Sequence, residues 1–336
     1  MSKRTVLVYS RLAVCAVGVI MATWVAATPL AVAAQGPQNF VGKLVKGDDA
    51  QCTECHDPTA KKHTLAIYQT RHGVKADSRA PSCQTCHGPS EVHIKDSGKL
   101  TDVSFDQKLK NVAPLAERNG ICLQCHDGQA RTNWAGSQHE TADLACSNCH
   151  TIHAADQKVL NKVTQAEVCL TCHKTQRSQI HRVSAHPLAV QGMTLAPKMS
   201  CSDCHNPHGS IAPSLMAKGS INDTCFSCHA EKRGPFLWEH SPVSDNCINC
   251  HTPHGSSMAP LLKTRQPVLC QDCHSGDHAN AVQSGANLAS GAVTTLNGNQ
   301  QLGALAPRQQ LGARGCINCH SMVHGSNHPG GAKFMR

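Results

Sequence analysis

The hydrophobic positions of this chain form one long run near the N-terminus and no regular pattern after it. The run begins at about Leu12, behind Lys3, Arg4 and Arg11, and it ends in the small-residue stretch around Ala33. A positive start, an apolar stretch and an A-x-A site are typical of a secretory signal peptide. The pattern predicts a leader over residues 1–34 that is removed on export, the alternative being an uncleaved membrane anchor.

After the leader, neither a helical period nor a two-residue alternation continues for long. We therefore expect short α-helices joined by loops rich in Gly, Pro, Asn and Ser, with little regular secondary structure. No later stretch is apolar enough to cross a bilayer as a helix. Only 3% of the residues are aromatic, so side chains alone do not supply an ordinary core. Another group must fill the interior.

The motif CxxCH occurs ten times, and every cysteine outside the leader belongs to one copy. Two cysteines at this spacing can form thioethers to the vinyl groups of one haem, and the adjacent histidine then binds the iron. The sequence therefore predicts ten covalently attached haems. The motif residues are Cys52, Cys55 and His56; Cys83, Cys86 and His87; Cys122, Cys125 and His126; Cys146, Cys149 and His150; Cys169, Cys172 and His173; Cys201, Cys204 and His205; Cys225, Cys228 and His229; Cys247, Cys250 and His251; Cys270, Cys273 and His274; and Cys316, Cys319 and His320.

Disulfides and zinc are the competing interpretations of so many cysteines. An exported chain could oxidise its thiols, and zinc is often held by two CxxC half-sites. Neither interpretation explains why a histidine follows the second cysteine in every copy. Haem attachment explains all ten copies at once.

The free histidines follow the motifs in a repeating order, which divides the chain into five dihaem units. Each unit contains a first motif, a first free histidine, a second motif and a second free histidine, so that every iron can receive a second imidazole. His63 and His181 fit no position in this order. The free histidines of units one to five are His72 and His93; His139 and His153; His186 and His208; His240 and His254; and His278 with either His324 or His328.

Close spacing of the motifs leaves little protein between neighbouring haems. We therefore predict the fold class of a multihaem cytochrome c, with haems as the core and the shape of an elongated wire. Stacked repeats of this length resemble a solenoid. Residues 279–315 form the longest gap between motifs, and they are either a surface loop or a docking element.

Two histidines on each iron leave no position open to a substrate, which favours electron transfer over catalysis, and no catalytic residue is predicted. The formal net charge of +9 falls to +6 when Lys3, Arg4 and Arg11 leave with the leader. A basic chain can bind nucleic acid. Export, few aromatic residues and twenty haem propionates make that function a poor fit.

The chain resembles the MtrA family of periplasmic decahaem cytochromes, which includes the MtoA, PioA and DmsE types. The resemblance rests on CSDCHNPHGS (201–210), NDTCFSCHAEKRGPFLWEHSPV (222–243), NCINCHTPHGS (246–256) and CINCHSMVHGSNHP (316–329), and it covers about residues 50–336. It implies a row of bis-histidine haems in an outer-membrane β-barrel porin. It also implies two halves, with haems 1–5 in residues 35–190 and haems 6–10 in residues 191–336.

The leading functional hypothesis is an electron conduit between periplasmic or inner-membrane cytochromes and an extracellular cytochrome or iron. Iron could be the donor or the acceptor. The chain would then lie in the periplasm, in or at the outer membrane. The alternatives are a soluble periplasmic electron shuttle and a multihaem oxyanion reductase. The reductase would need a haem with a vacant or lysine-bound position, which the ten histidine-ending motifs do not suggest.

Overall fold

Short helices and loops make up the part of the chain that the computed structural model describes. That part comprises residues 49–60, 63–106, 108–188, 199–274, 293–294, 300–301 and 316–335, all within one unit of residues 39–336. The longest α-helix among them has nine residues. The α-helices are α1 (Ala50–Thr53), α2 (Cys83–His87), α3 (Glu91–Lys95), α4 (Leu115–Leu123), α5 (Gln138–Thr141), α6 (Gln165–Cys169), α7 (Lys174–Gln179), α8 (Cys201–Cys204), α9 (Ile221–Phe226), α10 (Ser241–Asp245) and α11 (Val268–Gln271).

Short 3₁₀ segments and one small strand pair complete the regular structure of the described ranges. The strands β1 (Val293–Thr294) and β2 (Gln300–Gln301) are antiparallel, with Val293 opposite Gln301. The prediction of short helices and loops is confirmed. The 3₁₀ segments are Thr64–Gln69, Arg71–Gly73, Gln129–Arg131, Cys146–Asn148, Lys158–Leu160, Pro213–Leu215, Ala230–Lys232, Cys247–Asn249 and Cys316–Asn318.

Very few apolar side chains are buried together. The core cluster of the described residues contains Ala166, Leu170 and Ile180, with Leu188 and Cys201 packed against it. So small a cluster cannot offset the conformational entropy lost when a chain of this length folds. The observation agrees with a fold whose interior is filled by a group other than side chains.

Two of the helices that contain motif cysteines begin at a capping side chain. The hydroxyl of Ser82 accepts a hydrogen bond from Thr85 N at 3.2 Å, so that α2 begins at Cys83. Ser220 accepts from Asp223 N at 3.0 Å and starts α9, which contains Cys225. Capping side chains satisfy backbone donors that the first helical turn leaves unpaired.

Three sequence predictions fall on parts of the chain outside the described residues. These are the leader over residues 1–34, the boundary between the two halves at residue 190, and most of the segment 279–315. No helix in the described part of the chain is both long enough and apolar enough to cross a membrane.

Candidate haem-binding array

Each CxxCH motif forms a single helical turn. In the sixth motif, His205 N donates to Cys201 O at 2.9 Å. Residues i, i+3 and i+4 of such a turn lie on one face, so the two sulfurs and the imidazole project to the same side. The same bond, at 2.9 to 3.1 Å, is made at His56, His126, His150, His173, His229, His251, His274 and His320.

Nine motif histidines each face a free histidine across about the same distance. The ring centroids of these couples are separated by 5.8 to 6.4 Å. Each couple brings together one imidazole from a motif and one from the set that the sequence predicted as second ligands. The couples are His56–His93, His126–His72, His87–His153, His173–His139, His150–His208, His229–His186, His205–His254, His274–His240 and His251–His324.

The couples connect neighbouring units rather than closing within one. The first motif histidine of a unit faces the first free histidine of the preceding unit, as His229 faces His186. The second motif histidine faces the second free histidine of the following unit, as His205 faces His254. Only the His56–His93 couple lies inside a single unit, at the start of the array. Spacing alone did not indicate this offset.

The separation within each couple fits an iron between two imidazoles. A metal–nitrogen bond of about 2.0 Å, as imidazole makes to zinc, and about 1.1 Å from Nε2 to the ring centroid put two trans centroids roughly 6 Å apart. Direct ring stacking does not explain the couples, because their interplanar angles range from 12° to 79°. The shared feature is the separation, as expected if a third atom sets it.

Hydrogen bonds hold many of these rings with Nε2 directed away from the backbone. His205 Nδ1 donates to Ser214 O at 2.8 Å, and His139 Nδ1 donates to Pro207 O at 2.7 Å. A carbonyl can only accept, so Nδ1 carries the proton and Nε2 keeps the lone pair that a metal needs. Equivalent Nδ1 bonds are made by His87, His93, His150, His153, His186, His240, His251 and His320.

Burial favours the neutral form of seven of the paired rings. For His87, burial lowers the pKa, the bond to Val103 O opposes this effect, and the nearby imidazole of His153 lowers the pKa further. A neutral imidazole is the form that binds a metal. Burial is also the main cause of the lowered pKa of His72, His126, His208, His251, His254 and His324.

The cysteine sulfurs correspond to the thioether sulfurs of the mature protein. Their proximities show that motifs that are consecutive in the sequence are also neighbours in space. Within a unit, the first cysteines of the two motifs lie side by side, as Cys122 and Cys146 do. Between units, the second cysteines approach each other, and after burial the charge of Cys125 raises the pKa of Cys86. The first-cysteine pairs of the other units are Cys52–Cys83, Cys169–Cys201, Cys225–Cys247 and Cys270–Cys316, and the remaining second-cysteine pairs are Cys149–Cys172, Cys204–Cys228 and Cys250–Cys273.

All twenty cysteines of the motifs line one continuous cavity. The cavity has a volume of about 5370 Å³ and is also lined by the ten motif histidines and the nine free histidines of the couples. Shared among ten motifs, this volume gives roughly 540 Å³ each, within the range of about 300–1,000 Å³ for a single ligand pocket. The residues present therefore fit a row of haems.

In four of the five units, a polar side chain before the first motif fixes the second motif of the same unit. Asn222 Oδ1 accepts from Cys247 N at 2.8 Å, and its Nδ2 donates to Val243 O. Asn119 makes the equivalent bond with Cys146 N at 3.0 Å. Asp49 accepts from Cys83 N, and Gln165 from Ser202 N. We call these side-chain contacts clamps. Sequence reasoning missed them, although a polar residue three or four positions before the first cysteine of a unit is a signal that could have revealed them.

The recurring H-G-S segments join consecutive units. Ser256 and Ser184 exchange backbone hydrogen bonds of 2.7 and 3.0 Å, and Ser326 does the same with Trp238 at 3.0 Å in both directions. A side chain at Gly209, where φ is +115°, would overlap the carbonyl oxygen of Asn133. Gly permits both the left-handed angle and the close approach. The segment therefore positions His208, His254 and His324 against the preceding unit.

Four other histidines lie apart from the couples or outside the described ranges. His63, His181 and His328 are exposed and do not line the cavity, so the structure couples His324, and not His328, with a motif histidine. His278 lies outside the described residues.

Both family models and individual known proteins match the sequence of this chain. A model of the doubled CXXCH motif matches residues 195–234 and 240–279, and a model of the NrfB-like cytochrome c-type protein matches residues 83–164. The multiheme cytochrome MtrA of Shewanella baltica is 43% identical over 297 residues, which cover 87% of this chain and 82% of that protein. The C-type polyheme cytochrome OmcB of Geobacter sulfurreducens is 22% identical over 330 residues, and the chain spans 39% of its length.

Proposed function

Because this chain belongs to the family of the multihaem cytochrome MtrA, we propose that it carries electrons through an outer-membrane porin. It is a multihaem c-type cytochrome with covalently attached haem c, and it transfers electrons rather than catalysing a reaction. The proposed path runs between periplasmic or inner-membrane cytochromes and an extracellular cytochrome or iron. The protein would lie in the periplasm, inserted in or bound to the outer membrane after removal of the leader.

The observation that carries the proposal is the unbroken order of the motifs. First cysteines adjoin within each unit and second cysteines adjoin between units, as in the series Cys122–Cys146 and Cys149–Cys172. Iron in haem supplies reversible one-electron oxidation and reduction. A series without a missing neighbour suits transport over a distance, because each transfer is short.

The proposed ligand set is two imidazoles for each of ten irons. Nine couples have the separation that this ligation needs. The offset between units leaves two histidines of the fifth unit without an assigned partner. They are its second motif histidine, His320, and its first free histidine, His278. By the same rule that closes the array at His56 and His93, His278 would serve the haem of His320.

Two imidazoles suit electron transfer for two reasons. An iron held by two imidazoles would have no position left for a substrate. Two imidazoles also give lower potentials than a methionine ligand. The proposal of two halves, residues 35–190 and 191–336, has a consequence for these ligands. The couples His150–His208 and His186–His229 cross that boundary, so each half would complete haems of the other.

Proteoliposomes provide the test of the conduit. Vesicles that contain the cytochrome and its porin, and that enclose a reduced viologen dye, are mixed with external ferric citrate. We expect the internal dye to be oxidised much faster than in vesicles with the porin alone. Loading oxidised dye and adding ferrous iron outside tests the opposite direction.

A failure of the conduit has a distinct result. If dye oxidation with the cytochrome equals that with the porin alone, and the two proteins do not co-purify, the soluble shuttle replaces the conduit. A His278→Ala variant tests the terminal couple separately. We expect ten haems by mass and one high-spin haem by electron paramagnetic resonance, whereas an unchanged low-spin spectrum would contradict the assignment of His278.

A further inference from the structure

Arg118 is a buried cation that points into the haem cavity. It lies on α4 and is 7% exposed, and it is the only charged residue classed as buried in the described part of the chain. Its Nε donates to Ala113 O at 2.9 Å, within the same segment. Its Nη1 is buried and has no hydrogen-bond partner, and the residue lines the cavity.

An arginine in this position requires an anion. The guanidinium stays protonated in proteins, so the side chain cannot avoid the cost of burial by losing its charge. Burying an ionised group is costly unless it is paired and hydrogen-bonded. Within the described ranges, Arg118 forms no ion pair with Asp or Glu, and Ala113 O supplies only a neutral acceptor. The protein side of the site is therefore incomplete.

The group that completes it is a carboxylate of the cofactor. Each haem brings two propionates, and a guanidinium binds carboxylates through two parallel N–H bonds. We propose that Arg118 binds a haem propionate, an inference that rests on the haem array proposed above. Helix α4 contacts α2 (Cys83–His87) and the turn Cys146–Asn148, so the propionate belongs to a haem of the motifs 83–87, 122–126 or 146–150.

This contact affects the potential of that haem. A positive charge near the porphyrin disfavours the extra charge of ferric iron and thus raises the potential. Removing the guanidinium leaves a buried propionate without its cation, which stabilises the ferric form and lets the propionate bind a proton more easily.

Redox titration of holoprotein variants tests the proposal. We expect the Arg118→Met protein to retain ten haems by mass and low-spin spectra. For one haem, the ratio of oxidised to reduced form at a given potential should rise at least tenfold. This change corresponds to a fall in its reduction potential of about 59 mV for one electron. The same haem should gain a dependence of potential on pH. Arg118→Lys keeps the charge and should titrate close to the wild type. Arg177→Met, at an exposed helical arginine outside the cavity, should change nothing.

The proposal is wrong if the Arg118→Met protein keeps ten haems and its redox titration matches that of the wild type at every pH. If that variant loses haems, a structure of the wild-type holoprotein decides the question. A propionate oxygen about 2.7–2.9 Å from Nη1 supports the assignment, and the absence of any propionate oxygen within hydrogen-bonding distance rejects it. Because neither measurement involves a membrane, failure here is distinguishable from failure of the conduit.

Discussion

The imidazole of His324 lies 6.2 Å from that of His251, although the two residues are in different units and far apart in sequence. Their planes are inclined by only 12°. His324 is placed by the exchange of backbone hydrogen bonds between Ser326 and Trp238. His324 therefore lies where it could complete a site in the fourth unit, and this geometry favours His324 over His328.

Substitution of His324 should change the haem attached to Cys247 and Cys250. In His324→Ala, we expect one of ten haems to become high-spin, because its iron loses the second imidazole while both thioethers remain. His328→Ala is the matched control, since His328 is exposed and lies outside the cavity. Electron paramagnetic resonance and a mass measurement of haem content check both variants. A high-spin signal from His328→Ala, with none from His324→Ala, would reverse the assignment.

Adding a methyl group at Gly209 should weaken the joint between the second and third units. The new Cβ would overlap Asn133 O, and the backbone angle of +115° is unfavourable for alanine. We expect Gly209→Ala to lose about 1–3 kcal/mol of stability and to misplace His208. The denaturant midpoint and the low-spin haem content report the two effects.

Gly219→Ala is the control for that experiment. No atom lies within 4 Å of a Cβ built at Gly219, and the residue is exposed. Its stability should stay within about 0.5 kcal/mol of the wild type. Equal behaviour of the two alanine variants would mean that the close approach at Gly209 does not constrain the joint.

The clamp made by Asn222 should contribute measurably to stability. Asn222 is 9% exposed and links Cys247 N with the carbonyl oxygens of Val243 and Ser244. Asn222→Ala leaves these groups without partners, and we expect a loss of about 1–3 kcal/mol in denaturant unfolding. Asn133→Ala, at an exposed asparagine, is the control. Similar losses in both variants would exclude a special role for the clamp.

The clamp that Asp49 makes with Cys83 N should stabilise the protein to an extent that depends on pH. Burial raises the pKa of Asp49, but hydrogen bonds from Cys83 and Tyr68 outweigh it, so that the pKa lies below its ordinary value of 3.8. A lowered folded-state pKa stabilises the protein above the unfolded-state value, and this contribution is lost as pH falls through the folded-state value. Asp49→Asn retains an acceptor for Cys83 N but cannot titrate.

Thermal unfolding at two pH values checks this prediction. When the pH is lowered from about 6 to about 3, the unfolding temperature of the wild type should fall further than that of Asp49→Asn. The reason is that only the wild type has the carboxylate of Asp49 to protonate. Other titrating groups are common to both proteins and cancel in the comparison. Equal losses in the two proteins would contradict a stabilising role for the ionised carboxylate.

Local spacing revealed the cysteines and histidines of this array, but not how they combine. One helical turn brings Cys201, Cys204 and His205 to one face, so their chemistry is encoded within five consecutive residues. By contrast, the partner of His205 is His254, in another unit. That choice depends on how Ser184 and Ser256 join the chain, which only the folded structure contains.

The absence of a side-chain core was also predictable, whereas its substitutes were not. Few aromatic residues and close motifs predicted an interior filled by cofactors. The clamps of Asn119 and Asn222 escaped notice because a single polar residue before a motif has many ordinary explanations. Arg118 was likewise inconspicuous in the sequence, and only its burial beside the cavity distinguishes it.

The pairing of histidines between neighbouring units also makes the array extensible. An inserted copy of one unit would offer two imidazoles to the segments beside it and receive two in return, so every motif histidine would keep a partner. Duplication or loss of such a segment changes the length of the path by two irons at a time. Evolution could in this way change the reach of an electron-transfer protein without redesigning any individual site.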